Sequence, residues 1–171
     1  MSIARQYAQR LLRTANVSKP PVRVEKIADS LGLKIVPTDI PNDVSGLLVT
    51  HGPISTICVQ QSHALVRQRF TIAHEMGHWC LKHQNVAGPH VHVNRGHLVS
   101  ARGSLAAEGT DPHEIEANQF AAELLMPRHL VKEAVERLGH RLTEDDVTML
   151  AKEFEVSERA MDIRLRTLRL I

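Results

Sequence analysis

The sequence is poor in cysteine, in long apolar runs and in net charge. Its two cysteines, Cys58 and Cys80, lack CxxC spacing and lie in hydrophobic contexts. A small disulfide-held scaffold is denser in cysteine, so that class is excluded and a reducing cytoplasm is the expected setting. No segment approaches the roughly 18 consecutive apolar residues of a membrane span. The opening "MSIARQYAQRLLRT" has no uninterrupted apolar core of the kind a secretion signal needs. The expectation is a cytoplasmic protein with no membrane partner. Lys and Arg number 21 against 19 Asp and Glu, a net charge of +2. That balance sets no prior for a nucleic acid or an anionic membrane surface.

What is present is enough for one buried core, with 171 residues of which 43% are hydrophobic. "IARQYAQRLLRTA" reads as an amphipathic helix with Ile3, Tyr7, Leu11 and Leu12 inward and arginines between them. Residues 1–26 carry six cationic side chains against Glu25, which a solvated helix face explains more simply than a phosphate backbone does. "VRVEKIADSLG" is a short helix ended by Gly32. "LKIV", "SGLLVT" and "ISTICVQ" are strands, the last two a hairpin. From about Leu65 the period becomes helical through "RFTIAHEMGHWCLKH", and residues 84–110 read as loop. "DPHEIEANQFAAELLM" is a helix capped by Asp111, opened by Pro112 and stopped by Pro127. Three more helices follow, the last two capped by Thr143 and Ser157.

The expected fold is α+β: a small mixed or antiparallel sheet of about three strands packed against the "HEMGH" helix, as in zincins, and several further helices. Residues 1–130 would form the core. Residues 131–171 would be a helical extension packed on it, with a rhythm that also fits a helix-turn-helix.

"HEMGH" carries the chemistry. His74 and His78 are four apart, so on a helix both imidazoles face the same way and can share one ion at about 2.0–2.1 Å. Glu75 projects about a hundred degrees round the helix, where it can serve an attacking water as base instead of ligating. A catalytic site of this kind needs a third protein ligand. Glu114 is the best donor, because Ala117 and Ala121 give its helix a small-residue face that can approach the first helix closely. Asn118, four residues on, can orient a ligand histidine through its second ring nitrogen. Glu114 also fits a capping box with Asp111, and Glu116 and Glu123 stand as alternatives. Cys80 is two residues from His78 and points off the His74/His78 face.

"RQRFTIAHEMGH" at 67–78 followed by "EIEANQFAAELLMP" at 114–127 resembles the ImmA/IrrE family of bacterial metallopeptidases, and "PVRVEKIADSLGLKIV" is similar to that family's small helix and first strand. The resemblance covers residues 20–130. It implies Zn²⁺ held by His74, His78 and Glu114, Glu75 as general base, and cleavage of a helix-turn-helix repressor that controls phage, mobile-element or stress-response genes. His90, His92, His97 and His113 are candidate oxyanion partners. The strand containing Ile54, Ile57 and Val59 is a candidate edge for an extended substrate.

A different class of function competes. The tail "TEDDVTMLAKEFEVSERAMDIRLRTLRLI" could present Arg159, Arg164, Arg166 and Arg169 to DNA, making the chain a regulatory DNA- or protein-binding module with an inactive or structural metal site. Glu144, Asp145, Asp146, Glu158 and Asp162 disfavour DNA, and their positions near helix starts have a simpler explanation in the helix dipole.

Overall fold

A computed structural model describes residues 2–41, 43–83, 89–94 and 111–171. In chain order the elements are α1 (Ile3–Thr14), α2 (Val24–Ser30), β1 (Leu33–Thr38), β2 (Gly46–His51), β3 (Ile54–Gln60), α3 (Leu65–Cys80), β4 (His90–Asn94), α4 (Pro112–Leu125), α5 (Arg128–Leu138), α6 (Glu144–Phe154) and α7 (Glu158–Thr167). The four strands form one mixed sheet, in the order β1-β3-β2-β4. The fold is therefore α+β and zincin-like as expected, with one strand more than the pattern suggested. No described helix is long and apolar enough to cross a membrane.

β2 and β3 make the expected hairpin, antiparallel from Gly46 opposite Val59 to His51 opposite Ile54. β3 then pairs in parallel with β1 from Ser55 to Gln60. β3 is thus an interior strand, and Ile57 and Val59 offer no free edge to an extended substrate, contrary to expectation, while Ile54 at its start pairs with β2 alone. Ile57 and Val59 are core residues, and only Ile54 is exposed. The outer strands are β1 and β4, and β4 pairs with β2, placing His92 opposite Leu48.

The helices stack on the sheet through α3, which packs against β2 and β3, while α4 packs on α3 and α1 on α4. α1 turns Ala4, Ala8 and Leu12 inward and leaves Ile3 exposed. Its buried face is one of small residues, which suits close packing against α4. Leu130, Val131, Ala134, Leu150, Ala151, Phe154, Met161 and Leu165 from the last three helices share one buried cluster with Leu48, Ile57, Met76 and Phe120. Arg164 is buried in α7 and donates to the Met126 carbonyl and the Glu123 carboxylate of α4. It is therefore not available to DNA, and Arg166 is paired with Asp162.

Candidate metal centre

The site forms where α3 and α4 touch, and a missing atom sets their spacing. A Cβ on Gly77 would lie 3.0 Å from the Ala117 Cα and 3.2 Å from its carbonyl oxygen, both backbone atoms that cannot swing aside. The small face of α4 thus meets the glycine of α3, and Glu114 arrives one turn earlier over His74 and His78. Gly77→Ala should force the helices apart, at a cost of about 1–3 kcal/mol for overpacking. Urea unfolding of the metal-free protein should show that loss, and zinc titration a weaker site. Unchanged values for both would mean that this contact does not set the spacing.

Asp111 caps α4 by accepting from the His113 N–H. Glu114 does not turn back to close a capping box; its carboxylate reaches across to α3. His74 Nε2 is 3.1 Å from Glu114 Oε2, His78 Nε2 is 3.1 Å from Oε1, and the two Nε2 atoms are 3.0 Å apart. The three side chains make a group of potential ligands with one donor atom each, all within 4.8 Å. Donors about 2.0–2.1 Å from a tetrahedral ion stand about 3.3 Å apart, near the 3.0 Å between the two Nε2 atoms and the 3.1 Å from each to its own Glu114 oxygen, so the group can close on such an ion.

Protonation agrees with this fit. His74 Nδ1–H donates to Asn118 Oδ1 at 3.0 Å, which leaves Nε2 as a bare lone pair toward Glu114. Burial pushes His78 below the ordinary imidazole value, against the pull of Glu114, and so favours the neutral ring a metal requires. Cys80 is buried in the core and its thiol is pushed up to about 12 by that burial, the opposite of what a thiolate ligand needs.

Glu75 is fully buried on the neighbouring side of α3. Its Oε2 accepts from His92 Nδ1 at 2.9 Å, while its Oε1 is buried with no hydrogen-bond partner among the described residues. A carboxylate oxygen left bare in a protein interior is costly. It is the expected state of a base that faces a reacting water.

Of the four histidines put forward as oxyanion partners, His92 reaches the site and His97 lies outside the described residues. His92 Nε2 also donates to Glu114 Oε1, at 3.2 Å. Burial works against charge on this ring, but its bonds to Glu114 and Glu75 outweigh it and raise His92 to about 10. His113 instead stacks on His83.

Glu116, an alternative ligand on the sequence, instead pairs with His83, a pairing that the sequence reading did not foresee. α3 ends with Lys82 in the left-handed region at φ 56° and the His83 N–H bonded back to the His78 carbonyl at 3.1 Å. This fold-back brings the His83 ring against His78, with Nδ1 atoms 3.0 Å apart, and His83 Nε2 lies 3.1 Å from Glu116 Oε2.

No curated protein matches the chain. Among solved structures, a Mycobacterium tuberculosis transcriptional regulator is similar, with a TM-score of 0.62 and 20% identity. The match covers 96% of this chain and 47% of that one, so this chain spans about half of that protein's length. The model of the peptidase M78 family, described as the IrrE N-terminal-like domain, matches residues 28–166. That span takes in the histidines of α3, Glu114 and most of the C-terminal helices, so the chain belongs to the IrrE N-terminal-like family, with the HExxH-plus-glutamate centre of a metallopeptidase.

Proposed function

We propose that the chain is a zinc-dependent endopeptidase of the cytoplasm that cuts one peptide bond in a helix-turn-helix transcriptional repressor, relieving repression of phage, mobile-element or stress-response genes. The observation that carries this reading is the convergence of His74, His78 and Glu114 beside a buried Glu75 oxygen that has no partner among the described residues. When bound, the cation supplies Lewis acidity, which makes water a nucleophile near neutral pH and offsets the charge that develops in the transition state.

Within that frame Glu75 is the base. Its Oε1 takes the proton of the attacking water and returns it to the leaving amine. His92 fixes Glu75 through Oε2, so the free oxygen keeps one orientation. With one ring nitrogen on each carboxylate, His92 also ties the position of Glu75 to that of Glu114. Asn118 holds the ring of His74.

β4 is the strand best suited to receive substrate. Its side away from β2 has no partner strand among the described residues, and His92 connects it to both carboxylates. An extended peptide pairing there would align its carbonyls by backbone hydrogen bonds and leave few demands on side chains. The regulatory setting is in keeping with the similar fold in a transcriptional regulator.

The test couples zinc stoichiometry to cleavage of co-encoded helix-turn-helix proteins. The wild type should bind one zinc and cut a repressor, while Glu114→Ala should lose most of both. Full zinc retention by that variant would remove Glu114 from the ligand set. A salt-dependent mobility shift with DNA, without metal-dependent cleavage, would favour the binding-module reading instead.

A further inference from the structure

We propose that Glu116 and His83 form a relay that fixes His78 in the one tautomer able to bind the cation. The relay rests on the reading of His74, His78 and Glu114 as metal ligands. Its premise is the asymmetry between the two ligand histidines. His74 Nδ1 faces the side-chain oxygen of Asn118, a group that only accepts. His78 Nδ1 faces another imidazole, His83 Nδ1, at 3.0 Å. An imidazole nitrogen can present either a proton or a lone pair. If His83 Nδ1 carried the proton, His78 Nδ1 would accept it, the His78 proton would sit on Nε2, and that nitrogen could not ligate.

Glu116 removes the ambiguity. Its Oε2 is 3.1 Å from His83 Nε2, and an ionised carboxylate can only accept, so it draws the His83 proton to Nε2. His83 Nδ1 is then a lone pair, His78 Nδ1–H donates to it, and His78 Nε2 points bare at Glu114 and at His74 Nε2, 3.1 and 3.0 Å away. Hydrogen bonds thus run from His78 to His83 to Glu116, with each proton assigned by the last group.

The placement of His83 is built into the fold. The left-handed Lys82 and the His83 N–H bond to the His78 carbonyl turn the chain back on α3. His113, from the first turn of α4, stacks on the His83 ring at 4.4 Å between centroids and 16° between planes. The His83 side chain is 6% exposed, so water does not readily replace either of its partners.

The experiment measures zinc affinity by chelator competition on the full chain, with zinc alone as the probe. His83→Ala and His83→Leu should each weaken zinc by about 10–100-fold, the usual effect of removing an outer partner of a ligand histidine. His83→Asn should recover most of that loss, because its amide oxygen sits at the same reach from the backbone as the lost Nδ1 and supplies the acceptor Asn118 gives to His74. Glu116→Ala should weaken zinc less. In nitrogen-15 spectra of the metal-free protein, where no cation fixes the His78 proton, it should convert His83 from a single Nε2–H tautomer to a mixture.

Wild-type affinity in His83→Leu would overturn the relay, and so would a His83→Asn variant as weak as His83→Ala, since both assign His83 to packing alone. An unchanged His83 tautomer in Glu116→Ala would overturn the part given to Glu116. Failure of the wild type itself to hold zinc would instead sink the metal reading on which the relay stands.

Discussion

Glu75→Gln should keep its zinc and lose hydrolysis by about 10²–10⁴-fold in kcat, the range associated with removing a general base. Glutamine preserves the shape of the side chain and an oxygen for His92 to bond, but it cannot take a proton from water. Zinc stoichiometry should stay at the wild-type value, because Glu75 is not among the three converging ligand groups. Stability should fall only modestly, because the amide gives up the charge-assisted bond with His92 while easing the burial of a carboxylate oxygen that has no partner among the described residues. The triple readout of zinc content, turnover on a repressor fragment and thermal midpoint separates these effects. Unimpaired turnover with normal zinc would reject Glu75 as the base.

The second large effect concerns folding. Arg164→Ala should destabilise the protein by about 3–5 kcal/mol, because it leaves the Glu123 carboxylate buried without its counter-charge. The two side chains are each 3% exposed. The same guanidinium also donates to the Met126 carbonyl at 2.9 Å, closing the end of α4. Gln9 at 3.0 Å and the Arg128 N–H at 3.4 Å remain as donors to Glu123, but both are neutral. Replacing both partners, as Glu123→Leu with Arg164→Met, should recover much of the loss, since an apolar pair of similar volume carries no desolvation penalty. Urea unfolding measures both variants. A loss below about 1 kcal/mol for Arg164→Ala would show that water reaches Glu123.

Local signals made much of this molecule legible. Asp111, Thr143 and Ser157 cap the helices they were read to cap, since a cap depends on a few adjacent residues. The β2–β3 hairpin follows from neighbouring apolar runs. Strand order does not, because the parallel pairing of β1 with β3 is a non-local choice that no short pattern encodes. That is why β3 read as an open edge and is an interior strand.

β4 was hidden for a different reason. Its alternation is visible in "HVHVN", but the apolar residues face outward, with Val91 and Val93 at 52% and 43% exposure, and His92 faces the site. An inverted pattern of that kind reads as loop unless the polar face has a known use. His83 was obscured by Lys82, since the left-handed turn that positions it is normally announced by glycine or asparagine. His74, Glu75 and His78 needed only helical periodicity. Ala117, by contrast, takes on its meaning only when Gly77 lies against it.

The position of His92 makes grip and chemistry parts of one equilibrium. It is carried by an outer strand, yet its two ring nitrogens reach a carboxylate on α3 and another on α4. A shift of β4 is therefore felt at both helices at once. By linkage, a cation that stabilises one arrangement of Glu114 must stabilise the β4 position that goes with it, and a chain that pairs better with that β4 position must tighten the cation by the same factor. Substrate affinity measured on the metal-free protein would then be an affinity for a different surface.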